Sequence, residues 1–295
     1  MLIREMKKLY IKNSLIYVFF SAVIVKLLTL KSFLNSADYI YSGLMNFSAQ
    51  KFLSESTYLW QKILSSDGIN VYLLIITLVT AILLIVPEYR YSMNELLMTQ
   101  KNGKRLLPQL KLLIGLVTCS LSSVFILFAE PVAVCIKYGV SDLNVQLQIL
   151  PAYEETTKNL TILQALFMKC GFQIFGYCCL LVITLTLLVV LRSRSVMALT
   201  CSVSMLLLPA YFGDTLYNGE MLYKFPLPLS PILSYQYLSP SIVEYDKDVE
   251  LFMFKELTYI EIGITNFLLL LICIICVVLY IWSFRGRRMF KNESY

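Results

Sequence analysis

Six apolar stretches, each about as long as a bilayer core is thick, recur at 14–30, 69–86, 112–134, 161–191, 196–212 and 260–283. A hydrocarbon core of roughly 30 Å takes about 20 residues of helix, because each residue rises about 1.5 Å. Inside lipid every backbone N–H and C=O must find its partner within the protein, so such stretches form helices and not loops. The pattern predicts an all-α membrane protein with six transmembrane helices. The first stretch has the basic leader and apolar run of a secretory signal, but no small-x-small cleavage site follows in KSFLNSADYIYSG, and it reads as a retained anchor.

Orientation follows from the basic residues, since short cytoplasmic loops carry the excess of lysine and arginine. With the N-terminus inside, the inner segments hold Arg4, Lys7, Lys8 and Lys12, then Arg90, Lys101, Lys104, Arg105 and Lys111, then Arg192 and Arg194, then Arg285, Arg287, Arg288 and Lys291. All eight arginines fall on that side, whereas the last outer loop (213–259) sets seven acids against three lysines. Both termini are therefore expected in the cytoplasm, with the chain a multi-pass protein of the cell (plasma) membrane. Topology accounts for the net charge of +6, which gives no reason to invoke nucleic acid.

With 58% hydrophobic and 15% charged residues, no segment is long and polar enough for a separate soluble domain. The expected organisation is an amphipathic interfacial helix at 1–13, a six-span domain at 14–283, and a basic tail at 284–295. A loop at 87–111 faces inward, and loops at 31–68, 135–160 and 213–259 face outward, the first and last of these long enough for short helices. Residues 1–12 set Leu2, Ile3, Met6, Leu9 and Tyr10 on one side and Arg4, Lys8 and Lys12 on another, as in a segment lying on the inner leaflet. In the last outer loop VELFMFKELTYIEI (249–262) reads equally as extended chain or as a lead into the final span.

The chain has no histidine, which removes the commonest general base and metal ligand together. Its eight cysteines (119, 135, 170, 178, 179, 201, 273 and 276) lie mostly in spans, where a thiol acts as a small polarizable packing group. Cys273-x-x-Cys276 has no second pair to complete a zinc site, and no metal site is expected. Cys135 and Cys170 both fall near the outer surface, where spacing alone does not decide whether they bridge. An intramembrane enzyme would need a nucleophile with a base, or paired carboxylates, at membrane depth. None is visible, so no catalytic residue is assigned.

Charge within the spans would mark an ion or proton path. Lys26 and Lys169 lie close enough to the outer surface to snorkel toward the headgroups. Glu130, before Pro131 at the outer end of the third span, reads as an interfacial carboxylate or as a gate or substrate contact. Midplane carboxylates and matched broken helices, the marks of a secondary transporter, are not evident.

The inner loop PEYRYSMNELLMTQKNGKRLLPQLK (Pro87–Lys111) carries the most pattern. Pro87 suits a first helical turn and Glu88 the positive end of a helix dipole. Tyr89, Met93, Leu96 and Leu97 recur on one face, opposite Arg90, Asn94, Glu95 and Lys101, and Asn102-Gly103 reads as a stop. The expectation is a short amphipathic helix, a turn, and a basic re-entry through Lys104 and Arg105. A phosphate-binding loop would need Gly at Met98 and Ser or Thr at Arg105, so the chain is not expected to bind ATP itself.

An acidic residue just past the inner end of the second span, Leu-Leu-x-Thr, Gly followed by basic residues, and Lys opening the next span stand here as Glu88, Leu96, Leu97, Thr99, Gly103, Lys104, Arg105 and Lys111. Together with the six-span layout they resemble the ABC-2 type permeases, membrane subunits of bacterial ABC exporters with the type V exporter fold. The resemblance implies a separate ABC ATPase subunit that holds ATP and Mg, a second permease (identical or related), and surrounding membrane lipid as partners. This chain would bind no cofactor. It also implies that Glu88, Arg90, Met93, Glu95, Leu96, Leu97, Lys101, Gly103, Lys104 and Arg105 couple the spans to the ATPase. Cargo in this family is often amphipathic, such as antimicrobial peptides, lipids or drugs, and sodium is also known. A non-transporting membrane sensor or assembly partner remains the reading from another class.

Overall fold

The computed structural model describes residues 19–21, 23–30, 33–34, 55–65, 70–90, 103–150, 153–154, 156, 159–191, 242–246, 251–255 and 259–285. The main helices among them are α1 (Phe19–Leu30), α2 (Glu55–Ser65), α3 (Val71–Arg90), α4 (Gly103–Tyr138), α5 (Ile162–Val190) and α6 (Tyr259–Arg285). Two 3₁₀ turns, Ser141–Asn144 and Leu147–Ile149, lie between α4 and α5. Strands β1 (Ile242–Asp246) and β2 (Leu251–Lys255) pair antiparallel, with Ile242 opposite Lys255 and Asp246 opposite Leu251. Apart from that hairpin the described fold is helical.

Three of these helices are long and apolar enough to cross a membrane: Leu107–Tyr138 within α4, Ile162–Val190, and Asn266–Ser283 within α6. The chain is a membrane protein. The expected spans 14–30 and 69–86 correspond to shorter apolar helices, Phe19–Leu30 and Tyr72–Ile85. The expected span 196–212 and the interfacial helix at 1–13 lie outside the described residues, as do residues 286–295 of the basic tail.

Local chemistry explains the boundaries. Thr161 caps α5 with a full capping box: its hydroxyl accepts from Gln164 N, and Gln164 Oε1 accepts from Thr161 N. Asn70 caps α3 through Oδ1, which accepts from Tyr72 N and Leu73 N, while its carbonyl accepts from the Tyr177 hydroxyl at 3.1 Å. At its far end α4 stops where Gly139 turns to a φ of +90° and its N–H bonds to Cys135 O at 2.9 Å. Only glycine adopts that backbone without steric cost.

One boundary expectation needs correction. Pro87 does not open a new helix, because α3 runs unbroken through it to Arg90. A proline there forfeits one backbone hydrogen bond near the end of a rod already held by buried Leu84 and Ile85. Gly103 is the first residue of α4, which continues past Pro108 and Pro131 to Tyr138, and residues 91–102, where the short amphipathic helix and its stop are expected, lie outside the described residues. Residues 251–255 are extended, and the final helix starts at Tyr259, a choice that aromatic and apolar LFMFK fits as a strand.

Contacts fix the helix directions. Thr77 meets Cys119 while Leu84 approaches Gly115, so α3 and α4 are antiparallel. Gly115 also lies beside Leu185, and Phe128 stacks near Phe167 at 5.8 Å, so α4 and α5 are antiparallel. Phe19 meets Phe125 and Lys26 meets Glu130, which makes α1 parallel to α4. Phe167 shares a cavity with Asn266, and the Thr186 hydroxyl donates to Cys276 O at 3.1 Å, which makes α6 parallel to α5. One end of the bundle thus carries Arg90, Gly103 and Arg285; the other carries α2 and the 3₁₀ turns.

Two apolar cores follow. The first joins Leu84 and Ile85 of α3, Ile114 of α4, Leu181 and Leu185 of α5, and Tyr280 of α6. Helix α5 is its hub, with 72% of its most apolar window buried against 11% for α6. The second lies at the end opposite the arginines and packs Leu59, Trp60, Ile63 and Leu64 of α2 against Val134, Leu147, Leu150, Tyr153 and Ile162. Residues 55–65 and 135–150 therefore contribute a folded cap at that end.

Candidate functional site

The expected coupling residues straddle the arginine-bearing end. Glu88 and Arg90 lie in the last turn of α3, and Gly103, Lys104 and Arg105 form the first turn of α4. Met93, Glu95, Leu96, Leu97, Thr99 and Lys101 lie outside the described residues. The two helices that bracket this segment share one core, so its two ends are anchored to a common body. Gly115 allows that closeness: a Cβ there would stand 3.0 Å from Leu84 Cδ1 and 3.1 Å from Leu181 Cδ2. Small residues at such crossings let membrane helices approach where no hydrophobic driving force acts between them. Lys111, one residue before the expected third span, is buried to 1% exposure.

At the other end, Lys26 does not snorkel. Its Nζ donates to Glu130 Oε1 at 2.5 Å, with the two side chains 8% and 26% exposed. The pair ties α1 to α4 one residue before Pro131, which cannot donate to the Leu127 carbonyl. Otherwise α1 presents apolar side chains outward, including Phe20, Ile24, Leu27 and Leu28. A buried ion pair is a poor stabiliser, because desolvation offsets its Coulomb energy, but it fixes register and provides a contact that can be exchanged. Glu130 thus has a partner that the sequence reading missed. The available signal was that Glu130 is the sole carboxylate in the first four spans and Lys26 one of two lysines there.

Lys169, the other of those lysines, also turns inward. It is 4% exposed, and its Nζ donates to Ile63 O and Leu64 O at 2.8 Å each. The last carbonyls of a helix lack intrahelical donors and carry the negative end of its dipole, so a buried ammonium satisfies α2 there.

Hydroxyls and thiols form a polar layer within the first core. Thr77 lies 3.6 Å from Cys119, and Ser120 lies 3.4 Å from Cys178. Thr118, Ser122 and Thr184 donate back to carbonyls four residues earlier, which disposes of their protons inside the helix. Cys135 and Cys170 are both free thiols.

No family model, curated protein or solved structure matches this chain. Its functional reading therefore rests on the residues themselves.

Proposed function

We propose that the chain is the permease subunit of an ATP-driven exporter of the ABC-2 type, with six spans and both termini in the cytoplasm. The observation that carries this reading is the continuity of α3: one unbroken helix carries core residues from Leu73 to Ile85 and ends at Glu88 and Arg90. A force applied at the inner loop then travels along one continuous helix into the core that it shares with α4, α5 and α6. The antiparallel partner α4 receives the same force from Gly103 onward. An ATPase seated on residues 88–105 would close on ATP, and that motion would tilt α3 and α4 against α5.

Helix directions support the six-span count. Parallel α5 and α6 require that residues 192–258 cross the membrane an odd number of times, and 196–212 is the apolar stretch available. Parallel α1 and α4 likewise fit spans one and three, with α3 between them. The arginines then mark the cytoplasmic end, where ATP is available. Low charge within the spans favours an amphipathic cargo over sodium. The folded outer cap would suit a sensor as well, and a neighbouring reading frame encoding a kinase or protease would favour that alternative.

The test is a pair of inner-loop variants. Glu88→Lys and the double change Leu96→Asp with Leu97→Asp should insert normally yet abolish substrate-stimulated ATP hydrolysis by the partner. Unchanged stimulation in both removes the coupling assignment.

A further inference from the structure

Cysteines near the middle of the spans are paired across helices. Cys119 of α4 and Cys178 of α5 are side-chain hydrogen-bond partners, and so are Cys179 of α5 and Cys273 of α6. The two pairs differ in their surroundings. Cys119 is 1% exposed, and the Thr77 hydroxyl already donates to Leu73 O at 2.7 Å, so in its 3.6 Å contact with Thr77 the thiol is the donor. Ser120 lies 3.4 Å from Cys178, which seats this first pair in the core that α3, α4 and α5 share. In the second pair Cys179 is 4% exposed, whereas Cys273 is only half-buried, on the helix with the least enclosed apolar window of the three that are long enough to cross a membrane. Cys179 and Cys273 also line one cavity, about 310 Å³, whose walls carry no charge.

We propose that Cys179 and Cys273 are a redox couple, oxidised to a disulfide by a lipid-soluble quinone and thereby tethering α6 to α5. Geometry supplies the partners: the two thiols sit on neighbouring helices, already touch, and lie near the middle of the apolar windows Ile162–Val190 and Asn266–Ser283. Depth selects the oxidant. Exchange with a water-soluble disulfide runs through a thiolate, and a charge in the hydrocarbon core is costly. The chain has no histidine and the cavity walls no carboxylate, so no base is at hand to make that thiolate. A quinone avoids the charge because it takes whole hydrogens. Two S–H bonds break, one S–S bond forms, and both hydrogens with their electrons pass to the two quinone oxygens, giving a quinol. The tether matters because α6 is otherwise held lightly, with 11% of its apolar window buried against 72% for α5. It closes a loop of roughly 95 residues, a large restriction on the chain between the two helices.

The full chain, reconstituted alone in phosphatidylcholine–phosphatidylglycerol vesicles, tests this with decylubiquinone, whose ring carbons are all substituted so that thiols do not add to it. After alkylation of the remaining thiols and digestion without reduction, mass spectrometry should find the peptide of Cys179 bridged to that of Cys273 in most chains, with one quinol formed per bridge. Cys273→Ser should abolish both bridge and quinol, and Cys135→Ser with Cys170→Ser should leave both unchanged. The parent chain carries the decisive measurement, so the test survives if Cys273→Ser fails to fold. No bridge with either decylubiquinone or copper–phenanthroline would mean that the sulfurs do not reach bonding geometry. A bridge with copper–phenanthroline alone would mean that a quinone has no access. Either result overturns the proposal, as does a bridge between any other two cysteines. The couple needs no ATPase, so failure to recover one with the chain counts against the exporter reading alone.

Discussion

Two lysines that look alike in sequence do different work. Lys169 holds two buried carbonyls at the end of α2, so Lys169→Met should cost about 2–4 kcal/mol, because both acceptors lose a charged donor with no water to replace it. The emission of Trp60, buried in the same cluster, reports it: in a Trp282→Phe background the thermal midpoint in detergent should fall by several degrees. Lys26 pairs with Glu130, which keeps a quarter of its surface exposed. Lys26→Met alone should therefore cost about 1–3 kcal/mol, below the 3–5 of a fully buried broken pair. Joint replacement, Lys26→Met with Glu130→Leu, should restore stability to within about 1 kcal/mol of the parent. If the double variant is as unstable as the single one, the pair is not an independent contact. Composition located both lysines near the outer surface, but snorkelling and inward pairing share one sequence signature. Only the neighbouring helices decide between them.

Among elements, the long apolar runs were legible and their ends were not. Helix α5 coincides with its expected span within a residue at each end, because Thr161 and Gln164 form a cap readable as T-x-x-Q. Helices α3 and α4 extend well beyond theirs, since proline near a helix end costs one hydrogen bond and packing on both sides tolerates it. The closest packing, at Gly115, was invisible in sequence because a glycine in an apolar helix carries no mark of what approaches it. Gly115→Leu should separate α3 from α4 and α5 and cost about 1–3 kcal/mol by overpacking. Gly115→Ala asks only that the tips of Leu84 and Leu181 yield by a few tenths of an ångström, and should be much milder. Equal midpoints for the two variants would contradict the close crossing.

For the whole molecule, the arginine asymmetry and the helix directions are independent, and they agree. Charge assigns sides without knowing which helices touch; contacts assign directions without knowing which side is which. The candidate coupling segment was legible as an amphipathic pattern, whereas its attachment to one rigid core came only from the packing of α3, α4 and α5. If residues 192–258 cross once, cysteines placed at 193 and at 240 in a chain without other reactive thiols should be labelled from opposite sides by a membrane-impermeant maleimide. Same-side labelling would break the six-span count. The central claim, that this chain moves cargo by taking work from a separate ATPase, is met most directly by affinity purification of the tagged chain in mild detergent. An ATPase subunit with a phosphate-binding loop should be recovered, in equal amount to the permease chains and lost with Glu88→Lys. Recovery of the intact chain with no ATPase would contradict that claim.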